Sequence, residues 1–235
     1  MTGNGSARLL DTFRGLFEGH EYRHRDQTLG NFVINHLYED LVTLGISAKI
    51  ASGVRSGKLV VNVSNVVTGK AGRRGDGTFG DLVPSESGEP ETGFTVLRGA
   101  LATVKIGAES KILAKAMIKQ IDRVINDLKG QAATFREQTP NCICVAFVAV
   151  NHSNEYVSFE RERSFKARPA PSREAPKAIE RLRAKAADHF DEFVILPFEA
   201  TNASPYPFKW VDEKSTRREY SAALLRVSQL FDSRF

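Results

Sequence analysis

The chain has 235 residues, 41% of them hydrophobic and 26% charged, with a formal net charge of +5. That length supports one substantial core, and the balance is that of an ordinary globular protein rather than a disordered, fibrous or disulfide-rich one. No apolar run approaches the roughly 20 residues of a membrane-spanning helix, and Met1–Arg14 lacks the apolar core of a secretory signal, so a cytoplasmic protein is the expectation.

In chain order, 1–50 reads as a helical segment. Leu29, Phe32, Val33, His36, Leu37, Leu41 and Leu44 recur at helical spacing and predict a helix over Gln27–Leu44. Asp40 falls within that apolar stripe and needs a partner there, whereas Glu39 is expected to point to the side. Lys58–Val67 is alternating and β-branched and predicts a strand. The glycine-rich Gly69–Gly80 follows as a predicted loop, after which Asp81–Val83 begins a short strand. Ser85–Thr92 is a polar turn and Gly93–Leu97 a return.

Leu101–Leu113 predicts a longer strand, leading into an amphipathic helix over Ile112–Leu128. Cys142–Val150 is apolar throughout, the pattern of a central strand buried on both faces. Its two cysteines, Cys142 and Cys144, read as buried thiols, because alternate residues of one strand rarely have disulfide geometry. Ser172–Ala187 predicts a helix and Phe193–Phe198 another buried strand. Thr216–Glu219 reads as a capping box for a last helix carrying Tyr220, Leu224, Val227 and Phe231. This order implies one α/β domain over 1–235: a mixed sheet with helices on both faces, a core at about 58–150, and C-terminal elements at about 172–235.

Candidate chemistry lies in two segments, Gly80-Asp81-Leu82-Val83-Pro84 and Val104-Lys-Ile-Gly-Ala-Glu109-Ser110-Lys111. Glu109 and Lys111 are two apart on a predicted strand, so both side chains leave one face. A neighbouring strand beginning at Asp81 brings a second carboxylate beside them. Paired carboxylates suit Mg2+, and a neighbouring ammonium can orient a water or hold a phosphate oxygen.

An Asp, a spacer, then Glu-x-Lys on the next long strand resembles the PD-(D/E)xK nuclease superfamily, which includes many type II restriction endonucleases. The resemblance spans Lys58–Val150 in element order and rests on three residues, with Gly80 standing where the superfamily has proline. It implies a restriction-endonuclease-like fold and a Mg2+-dependent endonuclease acting on double-stranded DNA as a homodimer. Asp81 and Glu109 would hold the metal and Lys111 would assist the water. Asp76, in the glycine-rich loop, competes for the role of Asp81, which is preferred because a strand presents a ligand better than a loop. Asp40, with Glu39 second, fills the place of an acidic residue on a preceding helix.

Basic clusters at Arg23, His24 and Arg25, at Lys70, Arg73 and Arg74, and at Arg161, Arg163, Lys166 and Arg168 suit a polyanionic partner. Asn151, in a loop after the central strand, is a candidate for reading base edges. Gly72–Gly80 lacks the Gly-Lys-Ser/Thr ending of a phosphate loop, so no nucleotide cofactor is expected. Two alternatives stay open: a defence or repair nuclease with another substrate, and an inactive nucleic-acid-binding protein on the same fold.

Overall fold

A computed structural model describes residues 7–23, 28–63, 76–160 and 163–235. The described chain opens with α1 (Arg8–Gly15), within the segment read as helical, which buries Leu9, Leu10 and Phe13 on one side. Next comes α2 (Thr28–Leu44), as the apolar stripe predicts. α3 (Ala48–Arg55) is capped by the Ser47 hydroxyl, which accepts from the Ile50 amide. β1 (Leu59–Asn62) is buried along its length, and the expected continuation to Val67 lies outside the described residues.

β2 (Gly77–Asp81) departs from expectation: it starts within the glycine-rich stretch, so Asp81 ends a strand instead of beginning one. Its glycines permit this. A Cβ on Gly80 would lie 1.9 Å from the carbonyl oxygen of Thr103, so only glycine allows the strand to pass there. Phe79 anchors the strand by stacking on Tyr38, with ring centroids 5.1 Å apart.

Two-residue strands β3 (Gly88–Glu89) and β4 (Arg98–Gly99) precede β5 (Ile106–Leu113), which starts later than the predicted Leu101. α4 (Met117–Gln138) begins after β5 has ended and runs well past Leu128. β6 (Ile143–Asn151) is buried at every position. β7 (Val157–Glu160) and β8 (Arg163–Lys166) pair antiparallel, apart from the main sheet. α5 (Pro171–Lys185) has proline in its first turn, where the missing amide costs nothing.

β9 (Glu192–Ala200), β10 (Phe208–Trp210) and α6 (Glu213–Arg234) complete the order. The cap of α6 is Asp212, whose carboxylate accepts from the Ser215 amide, and not the predicted box at Thr216. Thr216 sits inside the first turn, donating to the Asp212 carbonyl.

The eight-stranded sheet has the order β10-β9-β6-β5-β2-β1-β4-β3. β5, β6 and β9 run parallel, while β1–β2, β2–β5 and β9–β10 are antiparallel, giving a mixed sheet. Alternate residues of β6 feed two cores. Ile143, Val145, Phe147 and Ala149 pack with residues of α1, α2, α3 and α6. Cys144, Ala146, Val148 and Val150 pack with α4 and α5 on the other face. The expected α/β sheet with helices on both faces is therefore present. Cys142 and Cys144 are free and buried, as predicted. Among the described residues, no helix is long and apolar enough to cross a membrane.

Candidate active site

Glu109 and Lys111 share one face of β5 with Gly107, which lies against Phe135 of α4, and with Leu113 of the α4 core. They stand toward the end of the sheet at which β5, β6 and β9 finish. The register pairs Gly77 with Ala108, so Asp76, one residue earlier, lies across from Glu109. The Asp76 amide donates to Glu109 Oε2 at 3.3 Å, and Asp76 Oδ2 accepts from the Ser110 amide at 2.7 Å. Lys111 Nζ donates to Glu109 Oε1 at 2.5 Å. The start of α2 lies against Asp76: a Cβ on Gly30 would sit 2.8 Å from Asp76 Cγ, so glycine leaves the space that the carboxyl occupies.

Burial sets the electrostatics of these groups. It pushes the Glu109 carboxyl up to about 7, helped by the charge of Asp76 and opposed by Lys111. Asp76 is likewise raised by burial, against the pull of Lys111 and its bond from Ser110. Burial disfavours the Lys111 ammonium, but the charge and hydrogen bond of Glu109, with Asp76 and Asp127, outweigh it and hold its pKa above the ordinary value. Lys111 pairs directly with buried Glu109 while half-buried Asp76 feels its charge through space, and full ionisation of both carboxyls leaves the site short of positive charge.

That shortage fits a divalent cation. Among the described residues there is no group of three or more His, Cys, Asp and Glu side chains that could hold a metal ion. Mg2+ does not need one: it binds through one or two carboxylates and keeps several waters. Asp76 and Glu109 would supply such a donor set.

Several sequence-predicted site residues lie elsewhere. Asp81 is five residues along the chain from Asp76, roughly 17 Å of extended strand. Its carboxylate pairs with Lys105, at 2.8 Å from Nζ, in a cleft that also holds Lys49, Lys58 and Phe235. Asp76, and not Asp81, therefore lies across from Glu109, because β2 starts at Gly77. Asp40 is a helix cap: its carboxylate accepts from the amides of Arg8 and Leu9 at 2.9 and 3.0 Å and from the Tyr220 hydroxyl at 2.6 Å. Its partners are donors, so it is not placed as a metal ligand. Glu39 does not point aside. It is 1% exposed, accepts from the amides of Thr95 and Val96, and pairs with Arg8.

Asn151 cannot read a base. It is fully buried, donating to the carbonyls of Ala114 and Ala200 and accepting from the amides of Ser153 and Ala200. Arg23 is exposed and paired with Glu21. His24, Arg25, Lys70, Arg73, Arg74 and Arg161 lie outside the described residues.

Sequence reasoning did not single out Gly30 or Asp127, and it ranked Asp76 second. The usable signal was the pairing partner of Ala108, which depends on where β2 begins. No protein-family model matches the chain, and no curated protein or solved structure matches it.

Proposed function

We propose that the protein is a Mg2+-dependent endonuclease that hydrolyses phosphodiester bonds of double-stranded DNA, with Asp76, Glu109 and Lys111 at its catalytic centre. The observation that carries this reading is the placement of half-buried Asp76, at the start of β2, across from buried Glu109 and its partner Lys111 of β5, with burial pushing the Glu109 carboxyl up to about 7. A carboxyl strongly perturbed by burial beside a specific charge partner is the arrangement by which active sites tune acids and bases.

The order of elements supports a restriction-endonuclease-like core. Helix α2 precedes three antiparallel-paired strands, β1, β2 and β5, and α4 then carries the chain over to β6, parallel to β5. The resemblance extends the reading to a type II restriction endonuclease acting as a cytoplasmic homodimer, since two sites are needed to cut both strands of a symmetric target. The free thiols of Cys142 and Cys144 accord with a reducing compartment.

Asp76 and Glu109 would hold the cation, which supplies charge at the phosphate and acidifies a bound water. The protein's own part is positional. The Ser110 amide fixes the Asp76 carboxylate, and Gly30 leaves room for it. Lys111, partly exposed beside Glu109, is placed to hold a phosphate oxygen or to orient the attacking water. That water's oxygen bonds to phosphorus as the ester P–O bond breaks, and the leaving oxygen takes a proton.

The test is incubation of purified protein with plasmid and phage DNA, with Mg2+ or EDTA, beside Asp76→Asn, Glu109→Ala and Lys111→Ala. Discrete fragments that require Mg2+ and vanish in all three folded variants are expected. Retained binding with no cleavage of any DNA or RNA would overturn the reading.

A further inference from the structure

The strand pair β7–β8 stands apart from the eight-stranded sheet, and all four residues of β8 are exposed. We propose that this ribbon enters the major groove of double-stranded DNA, with Arg163, Phe165, Lys166 and Arg168 as its contacting side chains. The inference rests on the nuclease reading and adds the element that would read the duplex.

Location is the first support. β7 follows the end of β6, so the ribbon rises from the same end of the sheet as Glu109 and Lys111. Lys115, four residues beyond Lys111, joins the two: its ammonium contacts the Ser158 hydroxyl and lies 5.8 Å from the centroid of the Phe165 ring. Four residues of chain span at most about 14 Å. A duplex whose phosphate reached Lys111 would therefore meet the ribbon.

The base of the ribbon is tied to the body of the domain by backbone hydrogen bonds. The Val157 amide donates to the Thr201 carbonyl at 2.8 Å, and the Ala167 amide to the carbonyl of buried Tyr156 at 2.7 Å. Asn202, 2% exposed and at a positive φ of 50°, ties three segments together. Its Nδ2 donates to the carbonyls of Val157 and Tyr22, and its Oδ1 accepts from the Tyr22 amide. Tyr22, next to Arg23 in the chain, is thereby tied to the base of the ribbon.

Shape and charge select the partner. A two-stranded ribbon in water is marginal unless something packs against it. Here Phe165 is left 44% exposed, on a strand that also carries Arg163 and Lys166. The Lys166–Glu155 pair, 3.6 Å apart with both side chains mostly exposed, is too weak to withhold Lys166 from a phosphate. Paired strands about 5 Å apart fit a groove about 12 Å wide. Four residues, about 13 Å, cover roughly four base pairs, and an aromatic ring among them can meet a thymine methyl.

The experiment measures binding of a 30-base-pair duplex by fluorescence anisotropy in EDTA, across a salt series. It compares the full chain with Arg163→Ala/Lys166→Ala, with Arg163→Gln/Lys166→Gln as a gentler pair, and with Phe165→Ala. Either double variant should weaken binding 10- to 100-fold and lower the slope of log K against log salt by about 2. Phe165→Ala should relax the preference among duplex sequences. Duplex RNA should bind weakly and respond little to the variants, because its major groove is too narrow. Unchanged affinity and slope in both folded double variants would overturn the proposal. So would a change confined to self-association, which would make the ribbon a docking arm between copies. The two readings fail separately. Duplex binding through the ribbon without any cleavage sinks the nuclease and spares the ribbon, whereas cleavage with affinity untouched by the double variants does the reverse.

Discussion

Asp76 and Glu109 hold each other across antiparallel strands: the Asp76 amide bonds to the Glu109 carboxylate, and the Asp76 carboxylate accepts the amide of Ser110, next to Glu109. Each carboxyl is thus positioned partly by the backbone of the other's strand. The geometry is set before any ligand arrives, as catalysis by positioning requires.

This reciprocity separates Asp76 from Asp81. Asp76→Asn should lower DNA cleavage by 100-fold or more, because it removes a charged oxygen donor from the site. Asp81→Asn should leave cleavage within a few-fold and cost about 1 kcal/mol or less, since its bond to Lys105 is partly exposed. Cleavage rates and urea denaturation of both variants check this. Loss of activity in Asp81→Asn alone would return the role to Asp81.

The raised carboxyls predict an inverted pH dependence of stability. Glu109 is lifted from 4.5 to about 7, first by burial and then by Asp76, so over that window the folded protein holds a proton that the unfolded chain releases. Its contribution is complete below about 4.5 and is lost as pH rises through about 7. Asp76, raised by burial, acts with the same sign. His36 and His152, lowered chiefly by burial, act oppositely, losing their contribution as pH falls below about 6.5. A difference measurement isolates the site. In EDTA, Glu109→Gln should gain stability relative to the wild type between pH 5 and 8, by a few kcal/mol at most. Mg2+ at pH 8 should raise the Tm of the wild type but not of the variant. A flat difference would show that Glu109 titrates in its ordinary range.

Much of this arrangement was legible in the chain, and the misreadings share a cause. The α2 stripe and the β6 run are long and periodic, so local pattern suffices to place them. Glu109 and Lys111 share a face because side chains alternate along any strand. The start of β2 is different. It depends on Gly80 passing within reach of Thr103 and on Phe79 meeting Tyr38, contacts between segments far apart in sequence. Asp40 and Asn151 were misread for the same reason. In the sequence Asp40 needs a partner and Asn151 reads as a loop residue facing a base, but their partners come from α1, α6 and β9. The α6 cap at Asp212 was a local signal that went unread.

Gly30 offers a test of how tightly the site is built. Alanine is favoured over glycine within a helix by about 1 kcal/mol, so Gly30→Ala should not unfold α2. Its methyl group would meet the Asp76 carboxyl at 2.8 Å and push that short side chain aside. The expected result is a stability change within about 1 kcal/mol together with a 10- to 100-fold fall in kcat/KM, the scale of a 1 Å misplacement. The Mg2+ midpoint should rise in parallel. Unchanged kcat/KM and midpoint would mean that the Asp76 carboxyl is not held where it acts.

Asp40 yields the opposite separation, stability without catalysis. Its carboxylate terminates α1 and binds α6 through Tyr220, joining helices from the two ends of the chain. Asp40→Ala strands two backbone amides and a hydroxyl in a buried site. The cost should be about 2–5 kcal/mol, given the penalty for unsatisfied buried donors. Tyr220→Phe removes a single donor and should cost about 1 kcal/mol. Neither should move the Mg2+ midpoint, read from the stabilisation of the folded protein as Mg2+ is added. If Asp40→Ala kept its stability while its Mg2+ midpoint rose, Asp40 would be a ligand of the cation and the assignment of α1's cap would fall.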